Sequence, residues 1–260
     1  MKVTKDAYSK REVGNVILDA LAQMLGDYPG ILSHGIRQKI VLVGHDRGAR
    51  ISHRLAVDNN HPHFEIIGAA LLDIVPTVVQ FQAFANPSQA TVYYHWSFFA
   101  APKPIPEDMI DAIGGGNWIA KVLETWPCTW EEARKRLEAN IPIYQEYFNN
   151  RATIDAVCAD YRGAATVDFT EQVKDQEEGR KLKVPTLVMY AKDYIGSRFD
   201  FWDVWKEWVE DEKLLQLRSL VNVLHFLPEE DPDTVTQSLL GWLRDVLEVR
   251  VPECACLESL

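Results

Sequence analysis

No run of this sequence is long and apolar enough to span a bilayer, which takes about 20 predominantly apolar residues. The opening Met1-Lys2-Val3-Thr4-Lys5-Asp6 lacks the apolar centre of a secretory signal. Cysteine is scarce: Cys128, Cys158, Cys254 and Cys256 are the four in 260 residues. Only the last two are neighbours, and no His or Cys stands near them at zinc spacing, so no zinc site or disulfide framework is expected. The thiols read as reduced and the expected location is cytoplasmic. A basic surplus is also missing. With 27 Lys and Arg against 38 Asp and Glu the formal net charge is -11, which argues against a nucleic-acid partner. Internal repeats and low-complexity stretches are absent. The sequence calls for no metal and no organic cofactor, no membrane and no nucleic acid, and the expected partner is a small-molecule substrate.

What is present is ordinary for a water-soluble chain: 47% apolar and 25% charged residues. The length suits one large α/β domain, or a core with a lid. One stretch organises the rest. Ile40 to Val43 is a short, mostly β-branched apolar run, the mark of a buried strand. Gly44-His45-Asp46-Arg47-Gly48 follows at once, then Ala49 and a helical pattern carrying Ile51, Leu55 and Ala56. Strand, tight glycine-flanked turn and helix make the layout of a nucleophile elbow, with Asp where many such enzymes place Ser. Side chains flanking the central residue of so sharp a turn are expected to collide, hence the glycines. The bend projects the Asp46 carboxylate beside a helix N-terminus, whose amides can stabilise an oxyanion.

The remaining elements follow in order. Tyr8 to Leu25 reads as a helix, broken by Gly26-Asp27-Tyr28-Pro29-Gly30. Ile66 to Leu72 is a second buried strand ending at Asp73. From 77 to about 181 the pattern turns helical, with helices expected at 107–113, 118–125, 129–138, 141–149 and 153–158 and no convincing strand. Val184 to Ala191 restores a strand. Phe201 to Trp208 reads as a helix, Leu214 to Leu217 as a short strand, His225 to Glu230 as a loop and Thr234 to Leu247 as a closing helix. The expected organisation is a mostly parallel core in residues 1–76 and 182–250, interrupted by a helical lid at 77–181 and followed by a tail at 251–260.

Five motifs in this order resemble those of fluoroacetate dehalogenases, α/β-hydrolases close to the epoxide hydrolases. They are Gly44-His45-Asp46-Arg47-Gly48-Ala49-Arg50, Leu72-Asp73-Ile74 with Pro76-Thr77, Tyr94-His95-Trp96, Asp160-Tyr161-Arg162 and His225-Phe226-Leu227-Pro228-Glu229-Glu230. The likeness runs from about Tyr8 to Leu247. It implies an α/β-hydrolase fold with Asp46 as nucleophile, His225 as general base and Asp73 as its orienting acid. Arg47 and Arg50 resemble the pair that holds the substrate carboxylate, and His95, Trp96 and Tyr161 the group that holds the departing halide. The residue types fit that chemistry. A carboxylate can displace a leaving group from saturated carbon, leaving an ester. An imidazole can then activate water against the ester. Two arginines can clamp a carboxylate.

The family carries several strands and a His-Gly-x-Pro loop before the elbow; here His34-Gly35-Ile36-Arg37 is a faint echo. The sheet is therefore expected to lack its first strands and to expose an edge, which makes a homodimer a candidate assembly. An oxyanion site reduced to the elbow amide would cost about 3 kcal/mol of barrier. Leu224 stands where the family usually has Gly. Other readings remain open. Asp193 rivals Asp73 as the acid. Tyr94 and Tyr161 could activate an epoxide, making the chain an epoxide hydrolase or a hydrolase of a biosynthetic intermediate. An inactive, truncated remnant is the third. Asp46 could be a plain N-cap, and His95, Trp96 and Tyr161 plain packing. His45 reads as a supporting or packing residue, His53, His61 and His63 as surface residues, and Trp118, Trp126, Trp130, Tyr144 and Tyr147 as lid packing. The charged run from Glu207 to Lys213 reads as a solvated end.

Overall fold

A computed structural model describes residues 7–26, 36–125, 127–128 and 130–247. Expectations for the first six residues, for His34-Gly35, for Trp126 and for the tail with Cys254 and Cys256 lie outside the described residues.

The first helix, α1 (Lys10–Gly26), leads to strand β1 (Gln38–His45), helix α2 (Arg47–Asp58) and strand β2 (Phe64–Leu72). Strand β3 (Thr186–Ala191), a short helix α11 (Phe201–Trp205) and strand β4 (Leu215–Leu220) complete the sheet. The four strands lie side by side in sequence order, all parallel. Parallel pairing requires a crossover between each pair. The crossover from β1 to β2 carries α2, and that from β3 to β4 carries α11. β2 and β3 are apolar almost throughout because both faces are covered. A short helix α12 (Leu227–Glu230) stands within the loop expected at His225–Glu230, and Gly68 of β2 lets the closing helix α13 (Pro232–Leu247) lie close, since a Cβ there would stand 3.2 Å from the Trp242 ring.

Between β2 and β3 the described residues form eight α-helices and no strand: α3 (Thr77–Ala83), α4 (Pro87–Val92), α5 (Tyr94–Ala100), α6 (Ile105–Ile113), α7 (Gly115–Glu124), α8 (Glu131–Phe148), α9 (Arg151–Gly163) and α10 (Phe169–Glu178), the last two joined by a π-helical turn. The two helices expected at 129–138 and 141–149 are one helix, α8, running through Pro142. Its buried stripe of Ala133, Leu137 and Ile141 repeats every four residues up to the proline, and Tyr144 beyond it packs on the cluster that holds Ile141, so packing outweighs the lost amide donor. The aromatic stretch from Phe81 to Phe99, which gave no helical pattern, is mostly helical because its rings pack on one another: Phe81, Phe84 and Trp96 meet edge to face.

Two packing details bear on the site. α1 crosses α2 at Gly14, where a Cβ would stand 2.8 Å from Leu55. β1 pairs with β2 alone and forms an edge of the sheet among the described residues, with Val43 exposed. Among the described residues no helix is long and apolar enough to cross a membrane.

Candidate active site

The strands deliver their following residues to one end of the sheet, where ligands of parallel sheets usually bind. Asp46 follows β1 directly, Asp73 follows β2, Tyr194 comes soon after β3, and His225 after β4.

Asp46 sits at the bend with φ 46° and ψ -114°, a conformation that costs a non-glycine residue strain. Gly44 makes the bend possible: a Cβ there would lie 2.4 Å from the backbone of Gly48. Gly48 itself has open space where its Cβ would be, so only one of the two flanking glycines is sterically required, contrary to expectation. α2 begins at Arg47, whose N–H has no carbonyl four residues back inside the helix. The Asp46 carboxylate is half-buried and points toward His225, with Nε2 to Oδ2 at 3.8 Å.

Asp73 also has a positive φ, 54°. The turn is pinned to β3: the Asp73 N–H donates to the Met189 carbonyl at 2.7 Å, and Asp73 Oδ1 accepts from the Ala191 N–H at 2.8 Å. Oδ2 is left for His225 Nδ1 at 2.8 Å. Glu230, buried, accepts from the Leu224 and Phe226 N–H groups and so brackets the loop that carries His225. Leu224 buries its side chain in the main core, so its size is absorbed without pulling His225 from Asp73. His45 lies beneath, its Nε2 2.6 Å from the His225 carbonyl. Burial pushes the His45 pKa down.

The imidazole of His225 is thus held between two carboxylates. Burial alone would lower its pKa, but Asp46 and Asp73 raise it to about 10. Burial would likewise raise the Asp46 carboxyl, but His225 and then Arg47 hold it well below the usual carboxylate range. At neutral pH the resting pair is carboxylate and imidazolium.

Arg47 and Arg50 reach the same space from α2. Arg50 is buried and donates through Nη1 to the Val75 carbonyl at 2.9 Å and to Thr77 Oγ1 at 3.1 Å. Its Nε is buried without a hydrogen-bond partner, and no carboxylate of the described residues lies within ion-pair distance. Burial lowers its pKa to about 10, so the charge persists at neutral pH. Arg47 donates through Nε to Asp160 Oδ2 at 2.5 Å, while its Nη1 is buried and unpartnered. The Arg47 guanidinium stands 4.1 Å over the Tyr161 ring, and that of Arg50 4.6 Å over Trp96. Trp96 meets Tyr161 edge to face at 5.5 Å. His95 is neutral at pH 7, since burial lowers its pKa to about 4.

All eight residues expected at the site (Asp46, Arg47, Arg50, Asp73, His95, Trp96, Tyr161 and His225) line one cavity of about 260 Å³. Its far walls are apolar, among them Phe99, Leu123 and Phe148. Among the described residues no group of three or more His, Cys, Asp and Glu side chains is placed to hold a metal ion.

No family model matches the sequence. A solved protein of Nostoc sp PCC 7120, provisionally named an alpha/beta hydrolase, is 33% identical with a TM-score of 0.75, over 92% of this chain and 74% of that one. The chain belongs to the α/β-hydrolase family. A solved α/β structure from Pseudomonas aeruginosa, provisionally named an epoxide hydrolase, is 28% identical with a TM-score of 0.75, over 93% of this chain and 73% of that one. A fluoroacetate dehalogenase of Burkholderia sp is 31% identical over 211 residues, 80% of this chain. The chain spans 64% of the length of that relative.

In this α/β-hydrolase several surroundings differ from the sequence reading. Tyr94 is 52% exposed and lines a second, outer cavity rather than the first. Asp193, the rival acid, is exposed on the same outer cavity, while Asp73 holds the imidazole. His53 is buried, not at the surface: it packs against Trp205 and Trp208, and burial drives its pKa to about 3. His61 is buried too, stacked on Phe64. The helical period gave no warning for His53, which abuts residues distant in sequence, and His61 lies in the loop between α2 and β2, where no period applies. Tyr147 is 65% exposed rather than packed. The cavity also contains Gln80, Tyr93 and Tyr194, which no motif had marked. Gln80 is buried with its Nε2 unpartnered. Two Gln in a mostly apolar helix leave no sequence signal that one of them lines the cavity.

Proposed function

We propose that this site cleaves the carbon–halogen bond of a small haloacid. The observation that carries the reading is Arg50, a buried cation with an unpartnered N–H and no carboxylate among the described residues at ion-pair distance, beside an ionised Asp46. A buried charge is costly unless it is paired. The substrate carboxylate supplies the missing anion, together with Arg47 Nη1. Its halogen-bearing carbon then faces Asp46.

In the first step an Asp46 oxygen attacks that carbon, the carbon–halogen bond breaks, and the halide leaves with the electron pair. The donors of Trp96, Tyr161 and His95 surround the departing halide. The ester now on Asp46 has no negative charge, so the strongest influence raising the His225 pKa is gone. His225 loses its proton, takes one from water, and the hydroxide attacks the ester carbonyl carbon. Asp73 stabilises the imidazolium. The elbow N–H of Arg47 meets the tetrahedral oxyanion. Collapse breaks the acyl–oxygen bond, the leaving alkoxide takes the proton from His225 to give a hydroxy acid, and the Asp46 carboxyl passes its proton to His225, restoring the resting pair.

The test is halide release from fluoroacetate and chloroacetate by the purified protein and by Asp46→Asn. The wild type is expected to release halide, and the variant to fall by about a thousandfold or more. Equal release from both ends the reading.

The name of the Pseudomonas neighbour and the presence of Tyr161 on the cavity favour a second reading, an epoxide hydrolase. Two phenols aimed at the epoxide oxygen serve that reaction best; Tyr94 stands outside the cavity, while Tyr93 and Tyr194 line it beside Tyr161. Turnover of small epoxides without turnover of haloacetates would establish it. Failure on both sets would leave the inactive reading.

A further inference from the structure

Lys10, in the first turn of α1, is only 1% exposed. A buried ammonium needs close counter-charges. Its Nζ bonds Asp160 Oδ1 and lies 3.4 Å from Asp168 Oδ2, and its backbone N–H donates to Asp168 Oδ1 at 2.8 Å. The approach of α1 is close, for a Cβ on Gly163 would stand 2.7 Å from the Tyr8 carbonyl oxygen. The second oxygen of Asp160, Oδ2, takes Arg47 Nε, and the Asp160 carbonyl takes Arg47 Nη2 at 3.3 Å. Arg47 Nη1 remains buried and unpartnered.

An arginine beside a carboxylate favours two parallel N–H bonds. Here only one reaches the Asp160 carboxylate, because the other oxygen is taken. We propose that Lys10 is a positioning residue for anion binding: by holding Asp160 Oδ1 it fixes the carboxylate whose Oδ2 grips Arg47 Nε, and so keeps the far nitrogen Nη1 aimed at the carboxylate of a ligand. Without the ammonium, Oδ1 is a bare buried acceptor, the carboxylate is free to turn toward Nη2, and Nη1 loses its fixed aim. The charges reinforce the effect. Lys10 and Arg47 balance Asp160 and Asp168, so loss of Lys10 leaves a net negative charge beside the place of an incoming anion. Both changes weaken binding of a carboxylate and leave the attack by Asp46 largely untouched. The inference rests on the proposal that Arg47 meets a substrate carboxylate.

The test compares wild type, Lys10→Met and Lys10→Arg. Acetate, a carboxylate without a leaving group, is the binding probe, by calorimetry; kcat and KM for chloroacetate are measured beside it. Lys10→Met is expected to raise the acetate Kd and the chloroacetate KM by about tenfold, with kcat changed less than about threefold. Lys10→Arg keeps a cation on Oδ1 and is expected to restore the acetate Kd to within about threefold of wild type. If Lys10→Met does not fold, Lys10→Gln takes its place with the same expected loss. Unchanged acetate affinity in the neutral variant overturns the inference, and so does an equal loss in the neutral and Arg variants. A wild type that binds acetate but releases no halide removes the dehalogenation reading and leaves this test in force. A wild type that does not bind acetate overturns the inference.

Discussion

His225 lies between Asp46 and Asp73, and that position decides when it can act as a base. With its pKa raised to about 10, it is protonated in the resting protein, and in the proposed reaction it accepts a proton only once Asp46 is esterified. The alkylation step needs only ionised Asp46, whose pKa is depressed. Single-turnover alkylation is therefore expected to be flat between about pH 5 and about pH 9. Ester hydrolysis should rise with pH through an apparent pKa below about 10; rapid-quench kinetics separates the two. The same shift has a stability consequence. The folded pKa of His225 exceeds the unfolded value of roughly 6.5, so its contribution is complete below about pH 6.5 and is lost as pH rises toward about 10. The melting temperature of the wild type should fall over that range more than that of His225→Gln. That Asp46 and His225 meet at one cavity was legible from residue types in motifs. The choice between Asp73 and Asp193 was not, because it depends on how the end of β2 is pinned to β3.

At the scale of elements, the elbow is a strand and a helix forced together at Gly44 and Gly48. The sequence signalled the motif but not the division of labour between the two glycines. Gly44→Ala drives a Cβ into the Gly48 backbone and is expected to cost about 3 kcal/mol or more in urea unfolding. Gly48→Ala places its Cβ in open space within α2 and should be neutral or stabilise by up to about 1 kcal/mol. The helices between β2 and β3 were harder to read. Their period is blurred where rings pack on rings, as from Phe81 to Phe99, and where a proline is carried through a helix, as at Pro142. The parallel strands read clearly because a strand covered on both faces is a plain apolar run.

Across the whole molecule, α1, α2 and α10 are tied by charges rather than by apolar contact alone. Arg54, Asp58 and Asp175 are all nearly buried; Arg54 pairs with both acids, and Arg11 and Arg180 close the network. None of this was visible in sequence, where these residues read as ordinary helix charges. Arg54→Met leaves two buried carboxylates short of a partner and is expected to destabilise by about 3 kcal/mol, measured by chemical unfolding. Arg11 and Arg54 hold the Asp58 carboxyl below its usual pKa against the opposing effect of burial. Its contribution is present above about pH 4 and is lost as pH falls below that, so the Arg54→Met penalty should shrink in acid. α1 also carries Lys10 to Asp160 of α9, whose other carboxylate oxygen holds Arg47.

The most direct measurement is the mass of His225→Gln after incubation with chloroacetate, followed by peptide mapping. The account predicts a stable carboxymethyl ester on Asp46, formed with one equivalent of chloride released. Continued turnover with no adduct, or an adduct on any other residue, would contradict it.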